Sequence, residues 1–566
     1  MGCSLAIMGG SQVVTLPSFV RVLSAPLLTL LALSAAACAT PAPPAAAPAP
    51  SDAGPVQPKV NRLVLALDPQ STDTNSAITG SLGLRPMYER LLDMGIDNGQ
   101  FSPWLAESWG VEPDGLGYRF KLRKGVQFHA NLGEFKAADV VATYKAIAAS
   151  DGTGTTITYV KTNLRETQVV NDYEIVMQMR RPDSQFLEYV SAQTQGAEMV
   201  NAKQVEKDGQ PTGKAPALAG TGPYEFVAHE FDQFVRFKRV DYKHWRITPD
   251  FPEMELRWVK EPSTRMASLV TGEAQLAVLP EDQLNDAVKR GMKSIKGRVP
   301  AFRAILNFHC CLAKSALDPT SGYVNPTTPL ADIRIRKALN KAINRDELNK
   351  ALFGGKGEII YNNPYYPGRP GWNPDWQKRY QEAYGYDLPA AKALVAEAGY
   401  GPSHPLKLNL VIQPARGLAS AADVVEAAGT YWKALGAEVK LITVASNAEL
   451  RAPGTDDHIV LWATSASMWA GTANYGTALI ESNRIWGLGL PDADLVLQQI
   501  ATTLDEKKLD DLWRKMGDIY FEKYKFIPLH YLPVEIAADP KIVADYPFPG
   551  SISSNWTHLE YIKAAR

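Results

Sequence analysis

Cysteine is nearly missing from this chain: there are four in 566 residues, at Cys3, Cys38, Cys310 and Cys311. A fold of this length without a disulfide framework must be held by large apolar cores. Surplus charge is missing too, with 59 Lys and Arg against 60 Asp and Glu. No basic excess points to nucleic acid, and no long like-charge block points to an interaction tail. No apolar run after residue 38 is long enough to predict a membrane span. Enzyme signatures are also lacking. The chain has no Gly-x-Ser-x-Gly elbow, no Walker loop, no Cys-x-x-Cys and no His-Glu-x-x-His, since His229-Glu230 has no second histidine four residues on. A secreted hydrolase would need a nucleophile–base pair, and none is identifiable. No internal repeat occurs.

What is present begins with the leader. Arg21 is the only charge in the first 50 residues, and an apolar run of signal-peptide length follows it over residues 22–37. Ala35, Ala36 and Ala37 supply small side chains before Cys38, which resembles the acylated cysteine of a bacterial lipobox. Ala35 departs from the Leu, Val or Ile usual at its position. Residues 1–37 are therefore expected to be a signal peptide and Cys38 a lipid attachment site. Plain secretion with a free Cys38 and an uncleaved anchor are the alternatives. Residues 39–58 hold seven prolines among mostly alanines. Such a segment cannot bury enough surface to offset its ordering entropy, so residues 38–58 read as an extended tether.

Residues 61–67 alternate as a strand and run into a polar loop. Residues 81–92 carry Leu84, Met87, Tyr88, Leu91 and Leu92 at helical spacing, which predicts a helix. Ile335, Leu339, Ala342 and Ile343 form a helical stripe. Asn344 is a predicted N-cap with Glu347 completing a capping box, and Gly354-Gly355 ends that helix. Asp387 is a predicted cap for a helix that Gly399 closes. From residue 406 the pattern is βαβ: a strand to 412, a helix from Ser420 to Leu435 ended by Gly436, and a strand over 438–442. That spacing predicts a crossover and a parallel pair, followed by a third buried strand at 458–462.

Several motifs occur in a characteristic order. They are the run from Leu105 to Tyr144, Gly220-Thr221-Gly222-Pro223-Tyr224, and Asp241-Tyr242 with Trp245. Then come Ser263-Thr264-Arg265 with Gly272-Glu273, the helix pair from Asp332 to Arg345, and Glu397-Ala398-Gly399-Tyr400. Together, over about residues 60–545, they closely resemble the family 5 extracellular solute-binding proteins, receptors of ABC importers for oligopeptides, dipeptides or nickel. The resemblance implies an α/β, two-lobed periplasmic-binding-protein-like fold of the Venus-flytrap type (class II, cluster C) with an extra inserted domain. It implies a discontinuous lobe I of residues 59–85, 218–303 and 535–566. An inserted domain over 86–217 and a lobe III over 304–534 complete the chain. It further implies a peptide or small-molecule ligand, a permease pair as partner, a membrane-tethered periplasmic or cell-surface location, a monomer, and no cofactor. A sensory or chaperone-like binder is the alternative from another class.

Ligands of open α/β lobes bind at the carboxyl ends of strands. The candidate ligand-binding residues are therefore Gln70, Ser71 and Thr72 after the first strand, and Trp462, Ser465, Trp469, Asn474 and Tyr475 around a later one. Aromatics offer flat apolar area, and hydroxyls and amides offer hydrogen bonds, which suits a roomy pocket. The best-known peptide receptors of the family carry an acid shortly after this Trp, where Thr464, Ser465 and Ala466 stand here. An N-blocked peptide, an opine-like conjugate, an oligosaccharide or a metal chelate thus stays open as ligand. His309 and Cys311 share a face if extended, but no partner ligand is identifiable, so no metal site and no Cys310–Cys311 disulfide are predicted.

Overall fold

The computed structural model describes residues 57–69, 76, 82–152, 154–194, 196–209, 219–311, 314, 322–323, 325–412, 418, 420–444, 449, 457–465, 488–550 and 556–566, with the backbone alone at 82, 155 and 462–465. The predicted signal peptide, Cys38 and nearly all of the tether lie outside the described residues.

The first strand, β1 (Arg62–Leu67), is buried on both faces from Leu63 onward. Leu63, Leu65 and Leu67 join a core with Tyr224, Phe237, Met254 and Ile536. Val64 and Ala66 face a second core with Leu269, Leu284 and Ala537. Burial on both faces is what parallel pairing demands. β1 is indeed parallel to both neighbours, β10 (Glu253–Trp258) and β11 (Leu276–Ala277). The sheet has seven strands, completed by β8 (Tyr224–Glu230) and β9 (Phe234–Arg239) at one edge, and by β19 (Glu535–Ala538) and β12 (Lys293–Lys296) at the other.

Two smaller units follow β1. β2 (Leu92–Met94) and β3 (Phe101–Pro103) form a short hairpin. β4 (Ala106–Val111), β5 (Gly117–Leu122), β7 (Glu174–Met179) and β6 (Leu164–Asn171) form an antiparallel sheet in that order. Tyr118, Phe120, Ile175 and Met177 of that sheet share a core with Val140, Tyr144 and Ile147 of the helix Ala137–Ala149.

The third sheet has six strands: β14 (Glu358–Ile359), β18 (Phe526–Leu532), β13 (Phe302–Cys310), β17 (Asp457–Ser465), β15 (Lys407–Ile412) and β16 (Glu438–Thr443). β15 is parallel to β16 and to β17, the crossover geometry expected from the βαβ spacing. The crossover helix, Ala421–Lys433, buries Val424, Val425, Ala428 and Trp432 in a core with Leu408 and Leu410. Gly436 ends it with a φ of 88°. Ser420 occupies the N-cap position but makes no side-chain capping bond. Asn344 and Asp387 do cap their helices, accepting from the amides of Glu347 (3.2 Å) and Ala390 (3.0 Å).

Residues 81–92 differ from expectation. Leu84, Met87, Tyr88, Leu91 and Leu92 are all buried, yet only Leu82–Leu84 make a single 3-10 turn. The carbonyls of Pro86 and Met87 accept from Tyr224 (3.4 Å) and Gly222 (2.9 Å) instead. Pro86 also removes an amide that a helix would use. The glycines of the Gly-Thr-Gly-Pro-Tyr motif permit this approach: a Cβ on Gly220 would stand 1.9 Å from the Met87 oxygen.

Candidate functional site

The seven-stranded and six-stranded sheets are joined twice, side by side. Residues 297–301 link β12 to β13, and residues 533–534 link β18 to β19. Lys296 pairs with Glu535 on one side and Phe302 with Leu532 on the other. Between them the Gly297 amide donates to Val534 (3.0 Å) and the Ala301 amide to Leu532 (2.9 Å). The result is a two-strand ribbon, the kind of element that absorbs a hinge rotation.

Register shows what faces this ribbon. β17 runs antiparallel to β13, so Ser465 lies opposite Phe302, at the ribbon end of its sheet. β11 is antiparallel to β19 and parallel to β1, so β1 also runs toward the ribbon. The carboxyl ends of β1 and β17 therefore meet the same junction. Of the sequence-predicted site residues, Trp462 and Ser465 lie in β17, paired with Ile305 and Phe302. Gln70, Ser71 and Thr72 begin three positions after β1, and Trp469, Asn474 and Tyr475 come after β17; all six lie outside the described residues.

Side chains that sequence reasoning missed also bridge this junction. Lys356 Nζ reaches Glu535 at 2.7 Å and Glu281 at 3.4 Å. Burial alone would lower the Lys356 pKa, but the two carboxylates outweigh it and raise it. Elsewhere, Ser184 Oγ donates to the Ile500 carbonyl (2.9 Å), in the last turn of the helix Pro491–Thr502. Leu504 packs against the core of the four-stranded sheet. These contacts tie the four-stranded unit to the six-stranded half. Their residues sit in loops and helix ends, with no periodicity to reveal them.

A separate buried charge cluster joins Glu89, Arg246 and Glu560. Glu89 accepts from Trp245 Nε1 (3.1 Å) and from Arg246 Nη2 (3.1 Å), and Arg246 Nη1 donates to Glu560 (2.5 Å). Arg246 also lies 4.1 Å from the Trp104 ring centre. Burial would raise the Glu89 pKa, but His244 and Arg246 outweigh it and hold the carboxyl at about 2. The arginines of the helix pair serve the fold. Arg345 donates to the carbonyls of Pro528 (2.6 Å), Asn340 (3.0 Å) and Tyr384 (2.9 Å).

His309 is buried at the end of β13, in register with His458. Cys310 and Cys311 are buried free thiols. Among the described residues no group of His, Cys, Asp and Glu could hold a metal ion. Two open cavities of about 400 and 390 Å³ lie on helices of the six-stranded half, and neither is lined by a residue of the ribbon, β1 or β17.

Residues 100–485 match the model of the bacterial extracellular solute-binding proteins, family 5. Di/tripeptide-binding protein 2 of Pseudomonas aeruginosa is 24% identical over 533 residues, covering 87% of this chain and 92% of that protein. NikA from Brucella suis, solved with Fe(III)-EDTA, superposes with a TM-score of 0.70 at 19% identity, over 88% of this chain and 100% of NikA. The periplasmic binding protein DppA from Helicobacter pylori, solved with the peptide STSA, gives 0.64 at 20% identity, over 89% of this chain and 98% of DppA. The fold is thus the α/β two-lobed architecture of these binding proteins. With most of its length inside the family match, the chain belongs to the bacterial extracellular solute-binding proteins, family 5.

Proposed function

We propose that this protein captures a peptide or peptide-like solute between two lobes and delivers it to the permease of an ABC importer. The observation that carries this reading is the convergence of the carboxyl ends of β1 and β17 on one ribbon-hinged junction. Lobe I would comprise residues 59–85, 218–303 and 535–566, the inserted domain 86–217, and lobe III 304–534. Gln70, Ser71, Thr72, Trp462, Ser465, Trp469, Asn474 and Tyr475 would line the cleft. Closure is a population shift, worth only the ligand's differential affinity for the closed form. The chain does no covalent chemistry in this scheme. It works outside the cytoplasm as a monomer, held near its permease by a lipid on Cys38.

Thr464, Ser465 and Ala466 are not acidic, and an uncompensated buried ammonium is costly. An N-blocked peptide or conjugate fits better. A metal chelate is the second reading, favoured by the likeness to NikA with its Fe(III)-EDTA. Native mass spectrometry of the purified protein separates them: retained peptides are expected, and a bound sugar or chelate with no peptide would sink the peptide reading. For the anchor, Cys38→Ser should move the protein from membranes to the soluble fraction. Continued membrane binding would refute lipid attachment.

A further inference from the structure

One arginine at the junction has no counter-charge among the described residues. Arg369 lies in the loop between β14 and the helix Pro374–Tyr384 and is 9% exposed. Its guanidinium makes no hydrogen bond or ion pair with any described residue, and Nη1 is buried without a partner. Burial lowers its pKa, and among the described residues the group that opposes this is the Tyr366 hydroxyl, not a carboxylate. Yet a guanidinium does not give up its proton in a protein. Buried charges are normally paired, since leaving one alone is costly. Lys356, at the same junction, shows the usual solution with two carboxylates.

The position is also pre-formed. Tyr365 Oη donates to the Trp513 carbonyl (2.6 Å), and the Gly371 amide donates to Asp510 (2.6 Å). Tyr366 Oη donates to Glu358 (3.0 Å) and packs edge-on to Tyr531. These contacts brace the loop on both sides of Arg369. The guanidinium reaches across to the other half: a Cβ on Gly99, in the β2–β3 turn, would stand 3.6 Å from Arg369 Nη2 and 3.6 Å from Val299 Cγ2. Val299 belongs to the ribbon. Arg369 thus spans the hinge from the six-stranded half to the hairpin.

We propose that Arg369 is a ligand-binding residue that receives a carboxylate of the captured solute at the hinge end of the cleft. The inference rests on the reading that solute is held between the lobes. A guanidinium fork takes a carboxylate through two parallel hydrogen bonds, and a braced one loses little freedom on binding. With no acid at positions 464–466 and an unpaired cation here, the cleft would select acidic solutes without a free ammonium group.

The test uses the full-length protein, stripped of ligand by reversible guanidinium unfolding, with three probes: N-acetyl-trialanine, its C-terminal amide, and sodium acetate at constant ionic strength. Calorimetry should show the acid bound at least tenfold tighter than the amide. Arg369→Gln should weaken the acid by roughly tenfold to a hundredfold and leave the amide within about twofold. Arg369→Lys should fall between. Equal binding of acid and amide by the native protein, or an unchanged preference in a folded Arg369→Gln, would overturn the proposal while leaving peptide capture intact. Should Arg369→Gln fail to fold, the acid–amide ratio of the native protein and of Arg369→Lys decides. Should neither peptide bind, the failure is that of the peptide reading, and acetate decides on Arg369. Saturable thermal stabilisation of the native protein that Arg369→Gln lacks supports it, and an equal response in both refutes it.

Discussion

Replacing Glu89 with Gln would test whether the buried cluster stabilises through charge. The substitution keeps the size of the side chain and one acceptor oxygen, but leaves Arg246 with Glu560 as its one carboxylate partner among the described residues. The Glu89 carboxyl falls from an ordinary 4.5 to about 2 on folding. That difference is worth about 3 kcal/mol at neutral pH. The sign follows from the depression: the stabilisation is complete above pH 4.5 and is lost as pH falls through 2. At pH 3 less than half remains, about 1.4 kcal/mol. Urea unfolding followed by tryptophan fluorescence, with Trp104 and Trp245 beside the cluster, should show Glu89→Gln destabilised by about 3 kcal/mol at pH 7. The deficit should shrink to about half or less at pH 3. A deficit below about 1 kcal/mol at pH 7 would refute the reasoning. So would one that stays constant from pH 7 to pH 3, since it would make Glu89 a packing element whose charge contributes nothing.

Two further perturbations probe packing and closure. Gly220→Ala drives a Cβ into the Met87 carbonyl and should cost at least about 2 kcal/mol in denaturant unfolding. Gly401→Ala, with nothing within 4 Å of its Cβ, is the matched control and should stay within about 0.5 kcal/mol of the native protein. Ser184→Ala removes the bond to Ile500, worth about 1 kcal/mol. If that bond belongs to the closed form, stopped-flow release of a ligand identified by mass spectrometry should speed up as much as fivefold, and an unchanged release rate would exclude that role.

Local chemistry was the legible part of the fold. The caps at Asn344 and Asp387, the stop at Gly436 and the parallel β15–β16 pair depend on residues close in sequence, and each stands where its neighbours dictate. Residues 81–92 were misread because their spacing reports burial, while the partner of their carbonyls is the Gly220–Tyr224 motif more than a hundred residues away. The same limit applies at the junction. The βαβ pattern could nominate strand ends as candidates for ligand contact. Lys356 meets Glu281 and Glu535, and Arg369 reaches Gly99 beside Val299, because the chain crosses between sheets twice, and their composition carries no sign of it.

The seven-stranded sheet sets an order on the making of this protein. Its central strand β1 is among the first folded residues to be synthesised, while β19, between β11 and β12, is among the last. The six-stranded sheet likewise waits for β18. The four-stranded unit, complete by residue 179, can close while the chain is still growing. The nascent chain must therefore carry β11 without its β19 neighbour from residue 277 until residue 535, a long interval in which non-native pairing and aggregation compete with folding. Truncation has an uneven effect for the same reason. Ending the chain at residue 525 would remove only a small fraction of its length, yet it would leave the seven-stranded and the six-stranded sheets each without an interior strand.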